Sequence, residues 1–205
     1  MRVNNFDGIA FIYDSLSQIF FGKSLKNAQT YFFNKIPKDS KVLVLGSGTG
    51  WIAEELLNND SNLKITLVDA SEKMTSIASK RLKGKAVEIF HADESKTFSN
   101  SFDVVILPCF LDLFQDKKLY GVFDSIKINL KPHSIWIVTD FVSQKIWHRV
   151  YLWIMYRFFS WTCNIESDRL PDWQTILSIK GLEVLLEKNF YKGFIKTILY
   201  RRNFQ

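Results

Sequence analysis

The run from Val42 to Gly50 constrains the fold of this chain more than any other stretch. Residues 42–45 are apolar and rich in valine, as expected of a buried strand, and the glycines at 46, 48 and 50 predict a tight turn. The pattern that starts at Trp51 predicts a helix. Because a glycine turn bares the backbone and a helix begins with free N–H groups, this segment predicts a site for a nucleotide or a carboxylate.

Carboxylates follow the next two predicted strands. Residues 63–68 lead into Asp69, which is placed to accept two hydrogen bonds from a ribose diol. Residues 86–90 are followed by Asp93 after two intervening positions, where it can accept from the exocyclic amino group of adenine. The dinucleotide fingerprint G-x-G-x-x-G needs a small third residue, and this chain has Trp51 there. The spacing therefore weakens the case for NAD.

The order of these motifs identifies a family resemblance that covers most of residues 40–141. A glycine turn, an acid after the second strand and an acid after the third are similar to those of the class I S-adenosylmethionine-dependent methyltransferases. The resemblance implies S-adenosyl-L-methionine as cofactor, with its ribose held by Asp69 and its adenine by Asp93. It implies further cofactor contacts from Gly46, Ser47, Gly48, Thr49, Gly50, Ala70, Met74, Ala92 and Leu107, and no metal.

Two positions depart from the family pattern. Many relatives carry an acid two residues before the first glycine, where this chain has Val44, and this difference concerns the surroundings of the methionyl amino group. Relatives often show Lys-Pro-Gly-Gly ahead of the fifth strand, where this chain has residues 131–134, Lys-Pro-His-Ser.

The expected architecture is an α/β, Rossmann-like sheet of seven strands. The resemblance implies the order 3-2-1-4-5-7-6 with the last strand antiparallel, N-terminal helices and a helical insertion after strand 5. We divide the single domain 1–205 into an N-terminal helical lid (1–36), a cofactor-binding core (37–141), a helical substrate-pocket segment (142–180) and a C-terminal hairpin (181–205).

Three residues are candidates for catalysis. Tyr13 stands beside Asp14 in a pair that resembles one in quinone-biosynthesis methyltransferases, where it closes over the site; alternatively it is an aromatic at the boundary of the core. Asp112 follows strand 4 and either orients or deprotonates an acceptor, or is a helix cap or surface acid. His148 is either a base or structural. Asp140, at the end of strand 5, either binds substrate or satisfies loop N–H groups.

The predicted acceptor is a small, largely apolar molecule, methylated on O or C. The loop after strand 4 begins Leu107-Pro108 and lacks the polar residue that enzymes methylating adenine or glutamine nitrogen often have there. The aromatic segment 142–162 predicts a helix that walls a hydrophobic pocket or packs on the N-terminal helices. These features favour an aromatic, quinone-like or lipid-like acceptor. The alternatives are an RNA methyltransferase and a non-catalytic S-adenosylmethionine-binding or partner protein.

Charge is concentrated at one end of the sequence. The formal net charge is +6, with +1 in residues 1–140 and +5 in residues 141–205. The basic excess suits an anionic membrane surface, an acidic substrate or RNA, or serves only solubility. We expect no nucleic-acid partner and leave a peripheral membrane contact open. Two cysteines, too few for a disulfide framework, and no recognisable signal peptide favour the cytoplasm.

Overall fold

A computed structural model of the protein describes residues 6–99, 101–163, 167 and 169–202. A seven-stranded sheet runs through this part of the chain in the order β3-β2-β1-β4-β5-β7-β6. The strands are β1 (Lys41–Leu45), β2 (Lys64–Asp69), β3 (Val87–His91), β4 (Phe102–Pro108), β5 (Leu130–Phe141), β6 (Leu182–Phe190) and β7 (Ile195–Arg202). Only β7 runs antiparallel to both of its neighbours, so the predicted architecture is confirmed.

Helices cover both faces of the sheet and its carboxyl edge. They are α1 (Tyr13–Phe21), α2 (Ser24–Thr30), α3 (Trp51–Asn59), α4 (Glu72–Arg81), α5 (Asp116–Ile128), α6 (Ile146–Thr162) and α7 (Trp173–Ile179), with short 3-10 turns at Phe33–Lys35, Leu111–Leu113 and Tyr191–Gly193. No helix of the described residues has the length and apolarity needed to cross a membrane.

The alternation of side chains along the central strands builds two separate cores. Leu43 and Val105 face α5 and α7, whereas Val42 and Val104 face α3, and all four are fully buried. Strands buried on both faces read as continuous apolar runs, which is why residues 42–45 were recognisable in the sequence. A third cluster packs α1 and α6 against Phe141 at the carboxyl end of β5. The α1 and α6 helices therefore lie above the edge of the sheet where parallel strands end.

Strand β5 is longer than the sequence pattern predicts. It begins at Leu130, where the sequence pattern predicts a start at Ile135, and residues 131–134 extend it toward the amino edge. The register against β4 shifts between Phe102 and Val104, which accommodates the proline of this stretch. The departure at residues 131–134 therefore lies far from the carboxyl edge.

Gly50 fixes the distance between two helices. It caps the N-terminus of α3 with φ +79°, and a Cβ built on it would lie 2.8 Å from Cβ of Ala78 in α4. Gly84 has a similar φ of +80°, but a Cβ there would meet no atom within 4 Å.

We predict that Gly50→Ala destabilises the protein more than Gly84→Ala. Both substitutions place alanine in the left-handed region, at a cost of about 1–2 kcal/mol, and the overlap with Ala78 adds about 1–3 kcal/mol at Gly50. Urea denaturation of the two variants measures the difference. Equal losses of stability would show that α3 and α4 are not held at this distance by Gly50.

Candidate active site

A cavity of about 290 Å³ opens at the carboxyl ends of β1, β2 and β4. Its walls come from the glycine turn, from the ends of β2, β3 and β4, and from the N-terminal segment. The lining residues include Phe6, Tyr13, Asp14, Lys26, Gln29, Gly46, Ser47, Gly48, Thr49, Asp69, Ala70, Met74, Ala92, Asp93, Cys109, Phe110 and Lys118. Ligands of open α/β sheets bind in this crevice.

Most N–H groups of the glycine turn already have partners in the protein. Gly46 and Ser47 both donate to the carbonyl oxygen of Val68, at 3.0 and 3.2 Å, and Gly48 donates to Oδ2 of Asp69 at 2.7 Å. Gly50 donates to the carbonyl of Ser47. The N–H groups of Gly46, Ser47 and Gly48 hold the turn against β2, and that of Gly50 closes the turn itself. Ser47 Oγ, by contrast, is buried without a hydrogen-bond partner among the described residues and lines the cavity.

Asp69 joins the turn to the start of α4. Its Oδ2 accepts from Gly48 and its Oδ1 accepts from the N–H of Ser71 at 2.9 Å. Burial raises the pKa of Asp69 above its usual value, although the two N–H donors lower it. Each carboxylate oxygen has a second acceptor position, so Asp69 keeps the capacity to bind a diol in the cavity.

Asp93 lies at the outer end of the same cavity. Its Oδ1 accepts from the N–H and the hydroxyl of Ser95, and these bonds lower the pKa of Asp93. The carboxylate is therefore ionised and anchored. Asp69 and Asp93 lie on the walls of one cavity, as the sequence predicted.

Two acids of the N-terminal segment form hydrogen bonds with residues at the rim of the cleft. Asp14 accepts from Thr49 Oγ1 in the glycine turn at 2.8 Å, and Arg81 at the end of α4 donates to Asp14 at 2.8 Å and to Thr49 at 2.9 Å. Asp7 accepts from the hydroxyl of Ser71 at 2.6 Å. The sequence singled out the Tyr13-Asp14 pair but contained no signal for Arg81, because its partners are 32 and 67 residues away.

A second cavity, of about 50 Å³, shares walls with the first. Six residues line both: Phe6, Tyr13, Ser17, Leu25, Cys109 and Leu113. The remaining walls are aromatic and aliphatic side chains of α1, α6 and the end of β5, together with Asp112: Leu16, Phe20, Phe21, Phe141, Met155, Tyr156 and Phe159. The aromatic helix α6 thus lines this cavity with its inner face and also packs on the N-terminal helices.

Asp112 and Asp140 form a buried acidic pair. Asp140 is fully buried and accepts hydrogen bonds from the N–H groups of Leu111, Asp112 and Phe141. The first two of these donors belong to the loop after β4. Asp112 is neither a helix cap nor a surface acid: it is buried in a 3-10 turn, and its Oδ1 has no partner among the described residues. Burial raises the pKa of Asp140 to about 7, and burial together with Asp140 raises the pKa of Asp112 well above its usual range.

Tyr13 and Cys109 stand at the boundary of the two cavities. Burial, followed by the nearby Cys109 and Asp112, raises the pKa of the Tyr13 phenol well above its usual range. Cys109 adopts φ +54°, and its Sγ accepts from Nε2 of Gln29 at 3.6 Å. Burial also raises the pKa of the Cys109 thiol well above its usual range, which makes it a poor nucleophile.

Three residues of the sequence-based site lie outside both cavities. His148 is fully buried, and its Nδ1 accepts the N–H of Gln144 just before α6, which favours the structural alternative for this residue. Leu107 is fully buried in the core beneath the loop. Gly50 packs against α4. All three lie next to cavity-lining elements in the sequence, but His148 and Leu107 point away from the cavity, because side-chain direction alternates along a strand and rotates along a helix.

Comparison with known proteins finds similarity to methyltransferases. Residues 42–133 match the family described as Methyltransferase domain. The demethylmenaquinone methyltransferase of Thermotoga maritima is 35% identical over 117 residues, which are 55% of this chain and 50% of that protein. These matches support the resemblance of the chain to the class I S-adenosylmethionine-dependent methyltransferases. The chain spans about half the length of this curated relative.

Solved structures share the fold of all or nearly all of the chain. A methyltransferase in complex with the Trm112 activator of Haloferax volcanii has a TM-score of 0.76 at 13% identity, with 100% of both chains covered. The magnesium protoporphyrin IX methyltransferase of Synechocystis PCC 6803, solved with bound SAH, has a TM-score of 0.64 at 15% identity and covers 96% of this chain and 84% of its own.

The residues of the cleft fit S-adenosylmethionine, the cofactor of this family. Asp69 keeps acceptor positions that suit a ribose diol, Asp93 adds a carboxylate that could accept from the adenine amino group, and Ser47 Oγ is buried without a partner among the described residues. Val44, at the position where many relatives carry an acid, is fully buried in the core, whereas Asp14 brings a carboxylate to the same cavity from α1. Within the described residues no group of three or more His, Cys, Asp or Glu is arranged to hold a metal ion.

The raised pKa of Asp112 predicts an unusual dependence of stability on pH. The folded state keeps the Asp112 proton while the unfolded chain loses it near its ordinary pKa of about 3.9, so this residue's contribution to stability falls as pH rises from about 5 to 7. Asp112→Asn removes this loss. We therefore expect the free energy of unfolding of Asp112→Asn, relative to the parent chain, to rise by up to about 1.4 kcal/mol per pH unit over that window.

Asp103→Asn is the control for this measurement. Burial raises the pKa of Asp103, but hydrogen bonds from Lys131 and from the N–H of Lys41 lower it overall. The contribution of Asp103 to stability is therefore lost only at pH values below the pKa of the unfolded chain. Its difference from the parent chain should stay constant between about pH 5 and 7. A flat difference for Asp112→Asn as well would mean that Asp112 is ionised in the folded protein.

Proposed function

We propose that this protein transfers the methyl group of S-adenosylmethionine to an oxygen or carbon of a small, largely apolar acceptor. The observation that carries the proposal is the apolar second cavity, which adjoins the cofactor cleft through the shared walls Tyr13, Cys109 and Leu113. An acceptor in this cavity would meet the cofactor at the boundary between the two. The relative that is a demethylmenaquinone methyltransferase supports an aromatic or quinone-like acceptor.

The chain contributes mainly position and the exclusion of water. S-adenosylmethionine supplies a methyl group already activated by its sulfonium, so alignment of the acceptor can account for most of the rate. The N-terminal segment lines both cavities through Phe6, Tyr13 and Ser17 and shields them from solvent. Shielding of this kind strengthens polar interactions inside the site.

Tyr13 and Asp112 would hold the acceptor and not deprotonate it. Both have pKa values raised well above the usual range by burial, so both keep their protons at neutral pH and lack the charge of a base. Each is instead suited to exchange hydrogen bonds with a hydroxyl or carbonyl group of the acceptor. Oδ1 of Asp112, which has no partner among the described residues, is the stronger anchor of the two.

Residues 1–36 would act as a lid, of which the structure describes residues 6–36. The second cavity holds about 50 Å³, whereas an apolar cavity that binds benzene measures about 150 Å³. An aromatic acceptor therefore requires α1 to move away from α6. The link from Asp14 to Thr49 and Arg81 would then report closure, because it joins the lid to the wall of the cofactor cleft.

The RNA alternative has less support. Four carboxylates line the large cavity, from Asp14, Asp69, Asp93 and Glu94, against two lysines, Lys26 and Lys118. A cleft of that charge opposes a phosphate backbone. Part of the basic excess of residues 141–205 is also neutralised, since Lys180 and Lys196 form ion pairs with Asp124 and Glu187.

The proposal predicts turnover with apolar hydroxylated acceptors. Purified protein with labelled S-adenosylmethionine should methylate members of a panel of phenols, catechols, naphthoquinols and lipid-like enols, read out by mass spectrometry. Asp112→Leu should lower kcat/KM by on the order of tenfold or more, since one buried hydrogen bond of about 1–3 kcal/mol is lost. Asp124→Leu, at an exposed position of α5, is the matched control and should leave kcat/KM unchanged.

The panel also separates the alternatives. Methylation of RNA or protein alone would refute the proposal of a small apolar acceptor. Tight cofactor binding without turnover of any class of acceptor would favour a non-catalytic binding protein. Equal activity of Asp112→Leu and the parent chain would remove Asp112 from the acceptor site.

A further inference from the structure

Helix α6 presents apolar side chains on two opposite faces. The inward face is buried and includes His148, Leu152, Met155 and Tyr156. The outward face carries exposed apolar residues at helical spacing: Ile146, Val150, Trp153, Ile154 and Trp161. The exposed fraction is 81% for Ile146, 66% for Trp153 and 88% for Trp161. A stripe of this kind on a folded domain marks an interaction surface.

The charges on this face are all positive. Arg149 and Arg157 are exposed between the tryptophans, Lys145 precedes the helix, and residues 142–163 contain no acidic residue. Among the residues that the structure describes, neither arginine forms an ion pair. The face therefore combines exposed tryptophan and aliphatic side chains with unneutralised basic groups.

The N-terminal segment continues the apolar surface beside α6. A Cβ on Gly8 would lie 2.8 Å from the carbonyl oxygen of Thr162, and the ring of Phe20 packs on Tyr151 and Phe158, so the segment runs alongside the helix. This segment exposes three further apolar side chains, Phe11, Ile12 and Ile19. The acids of this segment point away from the exposed apolar surface, since Asp7 accepts a hydrogen bond from Ser71 at the N-cap of α4 and Asp14 accepts one from Thr49 in the glycine turn.

We propose that the outward face of α6, with the neighbouring segment, docks on the surface of an anionic lipid bilayer. Tryptophan is favoured at the boundary between headgroups and acyl chains, and arginine binds lipid phosphates through paired hydrogen bonds. An apolar face with basic residues and no acids is the pattern of helices that lie in the plane of a membrane. A symmetric dimer through this face would place like arginines against each other, which disfavours a second copy of the chain.

The same helix connects the docked surface to the acceptor site. Met155, Tyr156 and Phe159 on its inner face line the second cavity, so one helix diameter of about 10 Å separates the bilayer surface from that cavity. A lipid-soluble acceptor would then reach the cavity between α1 and α6 without crossing bulk water. Docking itself does not depend on which acceptor is methylated.

Vesicle binding tests the proposal directly. Cosedimentation of the full chain is measured with vesicles of phosphatidylcholine alone and with equimolar phosphatidylcholine and phosphatidylglycerol. We expect binding to the anionic vesicles that decreases with added salt. The double variant Arg149→Glu/Arg157→Glu should bind them on the order of tenfold or more weakly. Trp153→Ala should reduce binding and also reduce the blue shift of tryptophan fluorescence that the vesicles induce.

A matched pair of charge reversals provides the control. Lys64 begins β2 and Lys127 lies in the last turn of α5, both exposed at the opposite edge of the sheet. Lys64→Glu/Lys127→Glu makes the same change in net charge and should bind vesicles like the parent chain. Circular dichroism of each variant checks that the fold is intact.

Three outcomes would overturn the proposal. The first is equal loss of binding in both double variants, which would show attraction by net charge alone. The second is the absence of binding to anionic vesicles by a folded parent chain. The third is a dimer in solution that Trp153→Ala converts to a monomer, because the face would then be covered by a second copy.

Discussion

The hydrogen bonds of the Asp69 carboxylate hold the cleft together. One oxygen accepts from Gly48 in the glycine turn and the other accepts from Ser71 at the start of α4, so a single side chain fixes the end of β2 to the segments on either side of it. The turn itself is held by two further N–H groups that donate to Val68. Stabilising a buried carboxylate with backbone donors arranges its remaining acceptor positions toward the cavity before any ligand arrives, which reduces the ordering cost of binding.

Around this fixed centre the N-terminal segment and α6 form a more adaptable, apolar half. The contact between the two halves is polar, through Asp14, Thr49 and Arg81, whereas α1 meets α6 through aromatic rings such as Phe20 on Phe158. Apolar packing between α1 and α6 is less directional than the hydrogen bonds that hold the glycine turn to Asp69 and Val68. Helix α1 can therefore shift against α6 at a lower cost in free energy than the glycine turn can shift against β2. The division suits a site that keeps one invariant cofactor and admits a separate acceptor.

The sequence was sufficient for the sheet, because parallel strands buried on both faces leave continuous apolar runs and because Gly46, Asp69 and Asp93 occur in a family order. It was insufficient wherever the answer depended on side-chain direction or distant contacts. His148 and Leu107 were candidates by position in the chain, but His148 is buried against the backbone before α6 and Leu107 points into the core. Nor did the sequence indicate that N–H groups of the glycine turn bond to the end of β2. The ion pair of Arg81 with Asp14 and the burial of Asp112 beside Asp140 have no local pattern that would reveal them.

Calorimetric titration with S-adenosylhomocysteine tests the central role of Asp69 most directly. The parent chain should bind one molecule, and Asp69→Ala should weaken the affinity by about 1–3 kcal/mol, which is on the order of 5- to 150-fold, because a charged acceptor of two hydroxyl groups is lost. Asp103→Ala, which removes a carboxylate at the opposite edge of the sheet, should leave the affinity unchanged. Unchanged affinity in Asp69→Ala, or binding of a nicotinamide dinucleotide in place of S-adenosylhomocysteine, would contradict the account of this cleft.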